Sequence, residues 1–448
     1  MSGTVVKSSN EDWLRSLLNA ESSPPSHTTR IPRVPNILKR HTDRDKCYVP
    51  EVVSLGPYHH GKPYLDLVES FKPLYPNKLV KGNHESIHSL FHRLLKMVPT
   101  LRGYYEDDVD HLSDDAFARM ILLDGCFILY FMEQIFKSDK DETDTLGLKS
   151  HQIMFIQQDM LLLENQIPYQ VLTEVMKFLP TKWDSNIKRF IDDNIIAPEK
   201  CRKSGENVPK PQVDGPIPDT TSHLLELLQT RITKEKSRGT LPKDRYTFRN
   251  AKELIEVGIL FKSSQTRSLG YINFSSCGFF ANLELPPITV DDSTKHMLLN
   301  LVTYEMCSND TNGSWVTSYI CLLDLLMDHA EDVKVLRKAG VLENQLGSDE
   351  EVAQLFNEIG RDLVPNSFAY SDVATKIQKH YDSKTNTWIN QLKREYIKSP
   401  WAFVALFAGL VGLFLSALQT YFSVFGIQSH CDSFCLYLKK HHRPRLSS

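Results

Sequence analysis

Apolar positions recur at helical spacing through most of this chain. Ile87, Leu90, Phe91, Leu94 and Val98 follow the i, i+3, i+4 rule behind Asn83 as a cap, which predicts an amphipathic helix. Ala116 to Met132 is apolar almost all round but carries Arg119 and Asp124, so it suits a buried core helix better than a membrane span. His151 to Phe178 reads as a helix interrupted at Pro168, because proline lacks an N–H and crowds the preceding turn. HLLELLQTRI, AKELIEVGILF, KHMLLNLVTYEMC, VTSYICLLDLLMDHAEDVKVLRKAG and DEEVAQLFNEIG continue the helical spacing, with two more helices near Asp372 to His380 and Thr387 to Ile397. Against this background Val49 to Leu55 has the content of a short strand closed by a turn at Gly56-Pro57, and YINFSSCGFFANLELPPITV that of one or two more. The expected fold is mainly α: a large helical body with a small β element.

One stretch breaks the amphipathic rule. From Ser399 to Ser429 there is no Asp, Glu, Lys or Arg. Within it Trp401 to Phe425, as about 25 helical residues at 1.5 Å each, reaches roughly 38 Å, enough to cross a hydrocarbon core. Ser399-Pro400 suits a helix start, and Trp401 and Tyr421 stand near the two ends, where amphipathic rings prefer the interface. The chain therefore divides into a polar arm (1–30), a body (31–398) with a Pro- and Gly-rich loop or insertion at about 197–221, a single transmembrane helix (399–425) and a short basic tail (426–448). The insertion stands where two lobes would be separated.

A net charge of −3 and a pI near 6.6 exclude a nucleic-acid footprint. Eight scattered cysteines do not make a disulfide scaffold. The first twenty residues carry acids and no continuous apolar run, so they do not read as a secretory signal. The expected topology puts the body in the cytosol and the tail across a plasma or internal membrane. Sequons at Asn273, Asn309 and Asn312 occur about as often as chance allows and do not oppose it.

Several patterns invite a chemical reading. His84-Glu85-Ser86-Ile87-His88 satisfies HExxH, in which two histidines one turn apart bind zinc and the glutamate acts as base. Its helical wheel puts the histidines at the edge of the apolar face and Glu85 away from it, which favours surface residues over a zinc hydrolase. Gly56 to Lys62 matches GxxxxGK, but Pro63 stands where Ser or Thr should reach magnesium, and Pro57 removes a phosphate-cradling N–H. His59-His60 alone is weak as a metal pair. Asp124 and the group Glu164, Asn165 and Gln166 lie in apolar surroundings, where tying helices together is a commoner role than catalysis. In the apolar C-terminal helix, Ala408, Gly412 and Ser416, with Ala405 and Gly409, form a small-residue stripe that fits a homodimer. Beyond it Cys431 and Cys435 stand one turn apart, suited to lipidation or to a disulfide according to the side of the membrane, and Lys439, Lys440, Arg443 and Arg445 suit anionic headgroups. No catalytic, cofactor or metal residue is assigned.

The ordered segments YVPEVVSLGPYHHGKPYL, ILLDGCFIL, DMLLLENQIPYQVL, AKELIEVGILF, LELPPITVDDSTKHMLLNLVTYEMC and LKREYIKSPWAFVALFAG closely resemble the plant domain-of-unknown-function 247 family. The resemblance implies a plant protein with a helical body and one C-terminal membrane helix. It carries no enzymatic residues over to this chain. Some grass members are associated with pollen self-recognition, so the resemblance implies a non-catalytic recognition or signalling protein acting through an unidentified protein partner. The alternatives are a zinc-dependent hydrolase using His84 to His88, or a structural membrane adaptor.

Overall fold

The computed structural model describes residue 15 and residues 30–39, 45–80, 84–106, 109, 111–136, 148–179, 183–195, 216–234, 250–308, 313–383, 400–424 and 430–441. Helical turns of at most five residues at Asn36–Lys39, Asp66–Glu69 and Tyr75–Leu79 precede the longer elements. The helical body is as expected, and its centre is the helix the sequence reads as buried.

Helix α1 (His84–Arg102) turns Leu90, Leu94 and Val98 fully inward, with Ile87 and Phe91 half-buried beside them. Across it lies α2 (Asp114–Phe136), whose Phe117, Ile121, Phe127 and Phe131 are all fully buried. Around α2 pack α1, the turn Tyr75–Leu79, α4 (Tyr169–Met176) and α5 (Asp184–Asp193). The approach of α4 depends on Gly125: a Cβ there would stand 3.0 Å from Val171 Cγ1 and 3.3 Å from Val175 Cγ2. Between them α3 (Ser150–Asp159) ends earlier than the proline predicts. The chain is irregular from Met160, and Pro168 is only the residue before α4.

After α6 (Leu224–Ile232) comes the β element. AKELIEVGILF is not one helix: α7 (Ala251–Glu256) stops before Gly258, and the β-branched and aromatic run continues as β1 (Ile259–Ser263). With β2 (Asn273–Cys277) and β3 (Phe280–Leu285) it forms a three-stranded sheet in the order β1-β3-β2. β1 runs parallel to β3 with Ile259 opposite Ala281, and β2 runs antiparallel with Asn273 opposite Glu284. A second pair, β4 (Ile288–Val290) and β5 (Leu342–Asn344), is parallel. Between them the long helical stretch divides into α8 (Thr294–Cys307), α9 (Trp315–Leu326) and α10 (Ala330–Lys338). Helices α11 (Asp349–Gly360) and α12 (Ser371–Tyr381) complete the described body. One hydrophobic cluster runs from Ile31 to Ile377 and includes residues on both sides of the 197–221 stretch.

Helix α13 (Pro400–Val424) is long and apolar enough in Phe407–Val424 to cross a membrane, and none of that segment is buried. A core helix of that composition would be covered; this one bares Phe407, Leu413, Phe414 and Phe422. A further helix, α14 (His430–His441), follows it in the tail, where no element was expected. The helix expected over Thr387 to Ile397 lies outside the described residues.

Candidate functional site

Val49 to Leu55 is not a strand: the chain bends at Val49, Glu51 and Val52, and among the described residues no backbone ladder pairs with it. Its amides must still be satisfied, since a buried N–H without a partner costs about 1–3 kcal/mol. Side chains satisfy them. Glu51 N–H donates to Asp159 Oδ1 at 2.9 Å, and Val52 and Val53 donate to Asp159 Oδ2 at 2.7 and 2.9 Å. Leu55 N–H donates to Asn165 Oδ1 at 2.7 Å, and the Asn165 amide donates back to Val53 O at 3.0 Å. Gly56 N–H donates to Asp124 Oδ2 at 2.8 Å.

The other oxygen of Asp124 takes a buried lysine. Lys72 Nζ lies 2.5 Å from Asp124 Oδ1 and 2.5 Å from Glu69 Oε1, and donates to Ser54 O as well, with Lys72 and Asp124 both 1% exposed. Burial pushes the Glu69 carboxyl up, against the pull of Lys72. Asp159 is the last residue of α3, where the helix dipole opposes a negative charge. Its complete burial raises its pKa to about 7 despite three amide donors. Gln166 ties the irregular stretch to itself and to α6, donating to Met160 O and Leu162 O at 2.8 Å and accepting from Leu225 N–H at 3.2 Å. Asn300 on α8 joins the far half, accepting from Leu163 N–H and donating to Cys47 O, each at 2.8 Å.

Glu164 faces outward from this seam. Its Oε1 accepts from Val34 N–H and Lys39 Nζ at 2.8 Å, and its Oε2 lies 3.7 Å from both Arg33 and His59. His59 is buried, its Nε2 makes no hydrogen bond, and desolvation lowers its pKa to about 4 although Glu164 pulls the other way. The residues read from sequence as polar groups in apolar surroundings are thus brought together, and each is occupied by backbone or by an ion pair. Sequence reasoning missed Asp159, Lys72 and Asn300. A carboxylate at a helix end directly before MLLLENQ is the signal that points to Asp159.

The GxxxxGK loop is a turn whose first amide is taken by Asp124. Gly56 and Gly61 have φ of +74° and +76°. A Cβ on Gly56 would stand 2.6 Å from Gln166 O. On α1, Glu85 and His88 are exposed, and His88 Nε2 lies 3.2 Å from His92 Nε2. The side chain of His84 is outside the described set, and among the described residues no three His, Cys, Asp or Glu side chains are grouped as a metal requires. Asn273 opens β2 and donates to Glu284 Oε2 at 3.3 Å, while Asn309 and Asn312 lie outside the described residues. Nothing lies within 4 Å of where a Cβ would stand on Gly409 or Gly412.

A plant family described as "Plant protein of unknown function", domain of unknown function 247, matches residues 31–415. The chain belongs to that family. The match opens at Ile31, which bridges to Tyr105, and runs into α13. Two UPF0481 proteins of Arabidopsis thaliana are similar to it: one is 26% identical over 84% of this chain and 82% of the relative, the other 23% identical over 89% and 90%. No solved structure matches the chain.

Proposed function

We propose that this family member is a single-pass membrane protein whose helical body acts by recognition of a protein partner, with no catalysis of its own. The observation that supports it is the contrast between a body with a closed core and an apolar helix, α13, that no described residue buries. The partners in this reading are the bilayer, through Trp401 to Phe425, an unidentified protein on the body and, along the small-residue stripe, a second copy of the chain. The body lies in the cytosol, at the plasma membrane or an internal membrane. Deleting Trp401 to Phe425 should release the protein from plant membranes after an alkaline carbonate wash; a truncated protein that stays behind sinks the single-anchor reading. Endoglycosidase treatment of the full chain tests orientation: a mobility shift abolished by replacing Asn273, Asn309 and Asn312 would put the body outside. Metal analysis decides the hydrolase alternative, which requires stoichiometric zinc lost on His88→Ala.

A further inference from the structure

Helix α14 starts at His430, shortly after α13 ends at Val424. Every described side chain in it, 435 to 440, is exposed, including Leu436, Tyr437 and Leu438. The 3.6-residue repeat lines up positions 431, 434, 435 and 438 along one side, and the sequence fills them with Cys, Phe, Cys and Leu. Positions 433 and 440, on the opposite side, are Ser and Lys; Asp432 and Lys439 flank, and Leu436 stands apart from the apolar row. Five residues, 425–429, separate the two helices, and even fully extended they span at most about 18 Å. A helix so close to the end of a span, apolar on one side and basic at its end, matches an interface of headgroups over acyl chains.

We infer that α14 is an interfacial helix. It lies along the bilayer surface with the side that carries Cys435 and Leu438 turned toward the acyl chains and with Lys439 and Lys440 among the lipid phosphates. This rests on the reading that α13 spans the membrane, and the test separates the two. The full chain, with every cysteine except the buried Cys47 and Cys126 replaced by Ala, is reconstituted into phosphatidylcholine–phosphatidylserine vesicles. Single nitroxide labels are then placed through Leu413→Cys, Leu438→Cys and Lys440→Cys. Collision with oxygen should dominate at 413 and 438 and collision with a water-soluble nickel chelate at 440, the ratio differing severalfold between 438 and 440. Lys439→Glu with Lys440→Glu should shift the 438 label toward water. A label in lipid at 413 with 438 and 440 equally wet overturns the inference and leaves the span standing. Labels at 438 and 440 both shielded from either collider indicate a protein contact and overturn it too. A wet label at 413 overturns the span and the inference together.

Discussion

Residues 51–56 and strand β3 both bury apolar side chains, yet they satisfy their backbones by different means. In β3 the amides face backbone carbonyls of β1 and β2, so the pairing survives whatever the side chains are, as long as they fit. In residues 51–56 three side chains, Asp159, Asn165 and Asp124, take the place of a neighbouring strand. A ladder of side chains can be cut by truncating any one of them; a ladder of backbone is cut only by a residue such as proline that removes the N–H itself. The two regions should therefore differ sharply in tolerance.

The sharpest break comes at Asp124. Asp124→Ala leaves Lys72 buried with one acid fewer and frees the Gly56 amide, so urea denaturation of the detergent-solubilised full chain should show a loss of about 3–5 kcal/mol. Asp124→Ala at full stability would remove the distinction between the two regions. Gly56→Ala should cost about 2 kcal/mol or more, since it combines a positive φ with a Cβ 2.6 Å from Gln166 O. A smaller effect should come from pH. The Asp159 pKa, about 7 folded against 3.8 as the ordinary value, means the folded state holds a proton that the unfolded state has released. Its contribution to stability is full below about pH 4 and is lost as pH rises to 7, so Asp159→Asn should flatten the decline over that window. Equal pH slopes in the two proteins would show that the amides of residues 51–53 hold the carboxylate charged. The smallest effect belongs to the sheet: Ser275→Ala, exposed on β2 opposite Asn282 of β3, should stay within about 0.5 kcal/mol.

The helices were legible because burial imposes a period, as Leu90, Leu94 and Val98 show on α1. The strand expected at Val49 to Leu55 was half legible. Its β-branched residues and Pro50 keep it out of a helix, but the partners of its amides lie over a hundred positions away, at the end of α3 and in the irregular stretch after it, and composition carries no trace of that pairing. Strand β1 was lost because Ile259, Leu260 and Phe261 continue the apolar spacing of α7, and a short apolar run does not tell strand from helix. Of the seam, Asp124, Glu164, Asn165 and Gln166 stood out as polar groups in apolar text. Lys72 did not, since a lysine in FKPLYP carries no sign of burial until the fold closes over it.

The distance between donor and acceptor in that seam also sets a schedule for synthesis. Val53 waits for Asp159, 106 residues later, and Leu55 for Asn165, 110 residues later. At about 5–20 residues per second, the ribosome leaves this segment without its partners for roughly 5–20 s. During that interval it is an apolar peptide with open amides, the kind of segment that a chaperone or another nascent chain pairs with.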